Sequence, residues 1–188
     1  MNIPNSLTLL RILLIPVFVV VFYLPFKWHY QVAALLFTLA ALTDLLDGYL
    51  ARKLGQISKL GAFLDPVADK LMVAIALVLL VQDHPSIWLA LPAAVIIGRE
   101  VTVSALREWM AELGARRKVA VSYLGKFKTV TQMIALILLI YLEPLFKLPI
   151  YHAGIIALYI AALLTLWSMV NYLYMAWPEL TDRKNISS

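Results

Sequence analysis

The chain has 188 residues, of which 63% are hydrophobic, and its mean hydropathy is +0.86. A soluble globular domain is nearer half apolar; here the excess recurs along the whole length, which excludes a soluble single-core fold. The net charge of +5 has no soluble basic domain to present it, so nucleic acid is excluded as a partner, and the lack of cysteine excludes disulfides, thiolate metal sites and cysteine nucleophiles.

A membrane-spanning helix needs about 20 mostly apolar residues. Six stretches satisfy this, at roughly 7–25, 30–50, 60–81, 86–107, 122–142 and 151–177. The expected fold is an all-α integral membrane protein, a bundle of six transmembrane helices in one domain spanning 1–188. Residues 1–6 form a short N-terminal segment and 178–188 a polar C-terminal tail. The start has neither the basic residues nor the small-residue cleavage site of a secretory signal.

On the first stretch Asn5, Thr8 and Arg11 recur every three residues and share one helix face. That face either lines a pocket through Asn5 and Thr8, or carries a helix cap at Asn5 and an Arg11 that snorkels to the interface.

The second and third stretches hold four aspartates. Asp44 and Asp47 are spaced i, i+3, and Asp65 and Asp69 i, i+4, so each pair faces one way on a helix. The short basic loop between them, with Arg52, Lys53 and Lys59, makes the two helices antiparallel neighbours whose pairs converge near one end. Asp44 lies eight residues before Arg52, about 12 Å along a helix, which places the cluster near the headgroup layer. Carboxylates in a span are costly and would repel one another. Either they pair with Arg52, Lys70 or Arg99, or they hold hard divalent cations such as Mg²⁺, Mn²⁺ or Ca²⁺. Two such ions would balance four aspartates and leave a positive field for a phosphate. Gly48, Ala51 and Gly61 permit close approach of a helix or ligand.

The fourth stretch carries Arg99, Glu100 and Arg107, and the fifth begins with Lys126 and Lys128. Arg99 and Glu100 can pair with each other. Arg107, Lys126 and Lys128 are candidates for binding an acceptor phosphate, the alternative being interfacial anchoring. Arg116, Arg117 and Lys118 read as topological anchors or contacts to anionic lipid. Basic residues crowd alternate loops and the tail, while the other side keeps only Lys27 and Lys147. The positive-inside rule then puts both termini, and the aspartate cluster, on the cytoplasmic side.

The run from Asp44 to Asp69 reads D-x2-D-G-x2-A-R-x8-G-x3-D-x3-D. It resembles the signature of the CDP-alcohol phosphotransferases at every fixed position. The start from Asn2 to Arg11, the run from Arg99 to Met110 and Gly125-Lys126-x-Lys128-Thr129 look like the bacterial phosphatidylglycerophosphate synthase branch of that family. The resemblance implies that Asp44, Asp47, Asp65 and Asp69 bind two divalent ions, Mg²⁺ or Mn²⁺, with Asp69 also the general base. It implies that Gly48, Arg52, Ser58 and Gly61 contact CDP-diacylglycerol, in the pocket to which Asn5 and Thr8 were assigned. It further implies that sn-glycerol 3-phosphate is the acceptor, that CMP is released, and that the enzyme is a homodimer in the bacterial inner membrane. Two rivals stand: the same chemistry with serine, an inositol phosphate or phosphatidylglycerol as acceptor, and a divalent-cation transporter. The basic cluster favours a phosphorylated acceptor. The site near one surface, with no internal repeat, disfavours the transporter.

Overall fold

The computed structural model describes residues 3–54, 59–112, 123–142 and 149–181. Every regular element among them is an α-helix: α1 (Ile3–Tyr23), α2 (His29–Leu54), α3 (Lys59–Asp83), α4 (Ile87–Glu112), α5 (Tyr123–Tyr141) and α6 (Ile150–Thr181). Windows Ser6–Tyr23, Ile87–Glu112 and Ile150–Trp177 are long and apolar enough to cross a membrane, and Phe127–Tyr141 is a shorter apolar helix. Helices α2 and α3 have the length, but carry the aspartates and neighbouring cations at one end.

All six helices fall where apolar stretches predict them, yet several run further. Helix α2 continues through Arg52 and Lys53, α4 through Glu108 to Glu112, and α6 to Thr181. Hydropathy ends where charge begins, whereas the backbone hydrogen bonds of a helix continue into the headgroup layer. Helix α1 begins at Ile3, so Asn5 lies inside the first turn and the cap expected there is corrected.

Side-chain bonds at both ends fix the helix directions. At one end Tyr23 donates to Gln82 (2.7 Å) and Tyr30 to Asp83 (2.9 Å), joining the end of α1, the start of α2 and the end of α3. At the opposite end Thr8 and Arg11 reach Asp65, Asp44 and Asp69. The first three helices therefore alternate in direction. Helices α4, α5 and α6 continue the alternation through Glu100 with Lys128, and Arg107 with Tyr172.

The core is packed from Phe18, Phe22 and Phe37 on α1 and α2, Leu77 and Leu80 on α3, Leu89 and Ile96 on α4, Leu136, Leu139 and Ile140 on α5, and Leu158 on α6. Buried alanines, among them Ala33, Ala34, Ala40, Ala76, Ala93, Ala135, Ala161 and Ala162, let helix backbones approach closely, as is usual where lipid gives apolar side chains no preference for the interior. The outside is as apolar as the inside: Leu13, Val20, Leu35, Val78, Trp88, Leu163 and Trp167 are all exposed. That pattern belongs to a protein solvated by hydrocarbon, and the chain is a membrane protein.

Helices α5 and α6 meet closely at Gly154. A Cβ there would sit 2.8 Å from Leu139 Cγ and 3.3 Å from Leu138 Cβ, and Leu139 is fully buried. Gly154→Val should therefore overpack this contact and destabilise the fold by about 1–3 kcal/mol. A lowered thermal midpoint in detergent checks this; an unaltered one would show that α6 can shift away.

Candidate active site

The alternation of helices has a chemical consequence. It gathers the start of α1, the end of α2, the start of α3, the end of α4, the start of α5 and the end of α6 at one end of the bundle, which is also the basic end of the sequence. Among the described side chains, Thr8, Arg11, Asp44, Asp65, Asp69, Glu100, Arg107 and Lys128 lie there.

Arg11 is the centre of the first group. It is 1% exposed, and its Nη1 donates to Asp44 Oδ1 at 2.8 Å and to Asp69 Oδ1. Of the two alternatives for this face, a snorkelling Arg11 is set aside: two carboxylates meet it inside the bundle, which removes the reason to leave. Thr8, one turn earlier, is buried and donates to Asp65 Oδ1 at 2.6 Å. Helix α1 thus reads both α3 aspartates and one α2 aspartate from a single face. Beneath Asp44 and Asp69 lies a void of ≈ 10 Å³ with an apolar floor of Phe37, Ala40, Met72 and Met133.

Of the cations proposed from sequence as structural partners of the aspartates, Lys70 and Arg99 are engaged elsewhere, and the side chain of Arg52 lies outside the described residues. Lys70 donates to the Ser104 hydroxyl. Arg99 donates to Glu100 Oε1 at 2.6 Å and to Ser168 Oγ at 3.4 Å. The pairing of Arg99 with Glu100 is as expected, and Glu100 also accepts from Lys128 Nζ at 3.1 Å. Lys128 is buried, against the reading of it as an interfacial anchor. Arg107 donates to the Tyr172 hydroxyl at 2.8 Å, its guanidinium carbon 5.1 Å from the ring centre.

These groups share one cavity of ≈ 300 Å³. Asp44, Pro66, Asp69 and Lys70 line it from α2 and α3, and Arg99, Glu100, Arg107, Lys128, Gln132 and Tyr172 line it from α4, α5 and α6. With Lys70, four cations line it against three carboxylates, one of which, Glu100, already holds two of those cations. The balance suits an anion.

Gly61 is buried on α3. Asn5 on α1 and Asp47, Gly48 and Arg52 on α2 have described backbones, as does Lys126 on α5, but their side chains lie outside the described residues, as does Ser58 altogether. Sequence reasoning missed the roles of Arg11, Tyr172 and Gln132. For Arg11 the signal was present, because an arginine deep in an apolar segment needs an internal counter-charge. Tyr172 had none, since tyrosines of a membrane protein read first as interfacial anchors.

The donor chemistry fits a hard cation. One positively charged nitrogen already draws Asp44 and Asp69 to a common point, and Asp65 lies one turn before Asp69 on the same face. Hard divalent ions take such oxygens at about 2.0–2.6 Å. Among the described residues no three carboxylate or imidazole groups close on one point by themselves, and the side chain of Asp47 is not among those residues.

A helical membrane bundle with such a cavity has known counterparts. Residues 1–167 match the CDP-alcohol phosphatidyltransferases, and the chain belongs to that family. It is 59% identical to a protein of Pseudomonas fluorescens named CDP-diacylglycerol–glycerol-3-phosphate 3-phosphatidyltransferase, over 99% of this chain and 96% of the relative. Proteins of the same name from Salmonella typhimurium and Escherichia coli are 55% and 54% identical, each over 97% of this chain and 98% of the relative.

The ion pairs of Arg11 should be measurable. Asp44 and Asp69 are 30% and 38% exposed, so losing the guanidinium costs less than breaking a fully buried pair. Arg11→Met should destabilise the protein in chelator by about 2 kcal/mol, and added Mg²⁺ should restore part of the loss. A thermal midpoint equal to the wild type would remove Arg11 as the tie between the three helices.

Proposed function

We propose that the chain transfers the phosphatidyl group of CDP-diacylglycerol to sn-glycerol 3-phosphate, giving phosphatidylglycerophosphate and CMP. The observation that carries this is the single cavity lined by Asp44 and Asp69 from α2 and α3 and by Arg99, Arg107 and Lys128 from α4 and α5. An anionic acceptor held by the cations sits beside the carboxylates that the family signature assigns to chemistry. The near full-length identity to relatives bearing that name supports the choice of acceptor over serine or phosphatidylglycerol.

In this reading Arg107 and Lys128, with Lys126 beside them, hold the acceptor phosphate by charge-assisted bonds. Asp69 takes the proton of the attacking hydroxyl. The new bond forms from that oxygen to the β-phosphorus as the bond to CMP breaks, in one step, so configuration at phosphorus inverts and no covalent enzyme intermediate arises. Asp44, Asp47, Asp65 and Asp69 would hold two divalent ions, Mg²⁺ or Mn²⁺, which supply positive charge to the phosphates and the leaving CMP. Gly48, Arg52, Ser58, Gly61, Asn5 and Thr8 belong to the CDP-diacylglycerol side. Glu100 positions Lys128 and Arg99 and touches neither substrate. The remaining acceleration comes from positioning and a preorganised field.

The same reading makes all six helices membrane spans of one domain, with both termini and the site on the cytoplasmic face of the inner membrane. The asymmetry of the basic residues supports this. The homodimer rests on family resemblance.

Release of radiolabelled CMP from CDP-diacylglycerol, with glycerol 3-phosphate set against serine, inositol phosphate and phosphatidylglycerol, tests the acceptor. Chelation should abolish release, and Mg²⁺ or Mn²⁺ should restore it. Asp44→Asn and Asp65→Asn should insert normally yet lose turnover by roughly 10³-fold. Full activity in chelator would sink the metal assignment.

Topology is testable on a cysteine-free background. Gln56→Cys and Ala115→Cys should be labelled only from the cytoplasmic side, and His84→Cys only from outside. The opposite pattern would put the site on the wrong face.

A further inference from the structure

Gln132 is 5% exposed, and among the described residues it has no hydrogen-bond partner, yet it lines the cavity that holds Asp69. Among the described residues the fully enclosed polar atoms without a partner lie elsewhere, so the Gln132 amide borders the open cavity rather than packed protein. Leucine or methionine would fill the same space on α5 but would offer the cavity neither donor nor acceptor. Its amide is therefore available to something that enters the cavity.

Depth along the helices says what that is. Helix α5 starts at the basic end, so Gln132, one turn after Lys128 and on the same face, lies about 6 Å deeper. Gln132 and its neighbour Met133 line the same cavity as Asp44 and Asp69, at its deeper end relative to Lys128. Lys128 bonds Glu100, and Arg107 lies two turns nearer the basic end of α4. From the surface inward the cavity thus presents Arg107, Lys128, then Gln132, and Asp69 lines it too.

Glycerol 3-phosphate spans roughly one helical turn from phosphorus to its far hydroxyl, about 5–6 Å. Its phosphate between Arg107 and Lys128 would bring the terminal hydroxyl to Asp69. The hydroxyl on the central carbon then passes Gln132. That hydroxyl both donates and accepts, as the amide does.

We propose that Gln132 hydrogen-bonds the non-reacting central hydroxyl of the acceptor and selects a vicinal diol monophosphate over acceptors that lack it. This rests on the acceptor assigned above. It adds a specificity determinant that neither the aspartates nor the basic residues supply, since both read only the ends of the molecule.

The test compares glycerol 3-phosphate with 3-hydroxypropyl phosphate, which keeps the phosphate and the terminal hydroxyl and lacks the central one. Wild-type enzyme should prefer glycerol 3-phosphate by about ten- to a hundredfold in kcat/KM. In Gln132→Leu the preference should collapse to within about threefold, with the KM for CDP-diacylglycerol unchanged. Gln132→Met serves as a second apolar variant should leucine impair folding. An undiminished preference in either active variant would overturn the role of Gln132 while leaving the acceptor standing. Wild-type enzyme that releases no CMP with glycerol 3-phosphate would instead overturn the acceptor assignment itself.

Discussion

Carboxylates inside a hydrocarbon-solvated bundle must meet positive charge, and the arrangement of the first three helices follows from how this is done. Arg11 satisfies Asp44 on α2 and Asp69 on α3 with one nitrogen, and Thr8 fixes Asp65 from the same face. Three helices are thereby held in register at one end by polar contacts, while Phe18, Phe22 and Phe37 hold α1 and α2 together by packing in their middle. Packing alone could tolerate a slide of one helix along another. A bonded guanidinium could not, because a slide of one turn would carry a carboxylate about 5.4 Å from its donor and leave it unpaired.

The second polar group obeys the same constraint with the opposite sign. Lys128 and Arg99 are buried cations, and Glu100 answers both. Because Glu100 is shared, neither cation is fully neutralised, and the cavity retains unspent positive charge beside the carboxylates that also line it. Arg107 against Tyr172 adds a guanidinium whose position is set by a hydroxyl and a ring rather than by an acid. A charge held by neutral partners remains fully attractive to an anion.

Much of this was legible in the sequence, for reasons that differ by feature. The six helices were, because each is built on an apolar run that stands out between charged or proline-containing breaks. Their ends were less so: hydropathy stops at Arg52 or Arg107, while the backbone of α2 and α4 does not. The aspartates stood out because charge in a span is costly, and their spacing carried a family signature. Whether Arg11 reaches the interface or the interior stayed open, because the sequence gives distance along one helix and says nothing of what the neighbouring helix presents. The same gap hid Tyr172, which is an ordinary aromatic until α4 packs on α6 and brings Arg107 against it. Gln132 was hidden differently. Its significance lies in lacking a partner, and only a three-dimensional arrangement shows that.

Arg11 lets neighbouring carboxylates share one end of the bundle before any other cation arrives. Neighbouring carboxylates without counter-charge would drive the ends of α2 and α3 apart, at Coulomb energies of several kcal/mol per close pair at the effective dielectric of a protein surface. One guanidinium cannot neutralise Asp44, Asp65 and Asp69 together, so the site remains attractive to further cations. It does draw two of the acids together, which lowers the cost of assembling the rest. A guanidinium is suited to this because it stays charged at any accessible pH and spreads its charge over a plane. Lysine would concentrate the charge on one strongly hydrated nitrogen and would lose it more readily on burial. A divalent cation added to these carboxylates and Arg11 would move the charge of the cluster toward positive, the sign that holds a phosphate beside the cations lining the cavity. The arginine that stabilises the empty arrangement would then contribute to the field of the filled one.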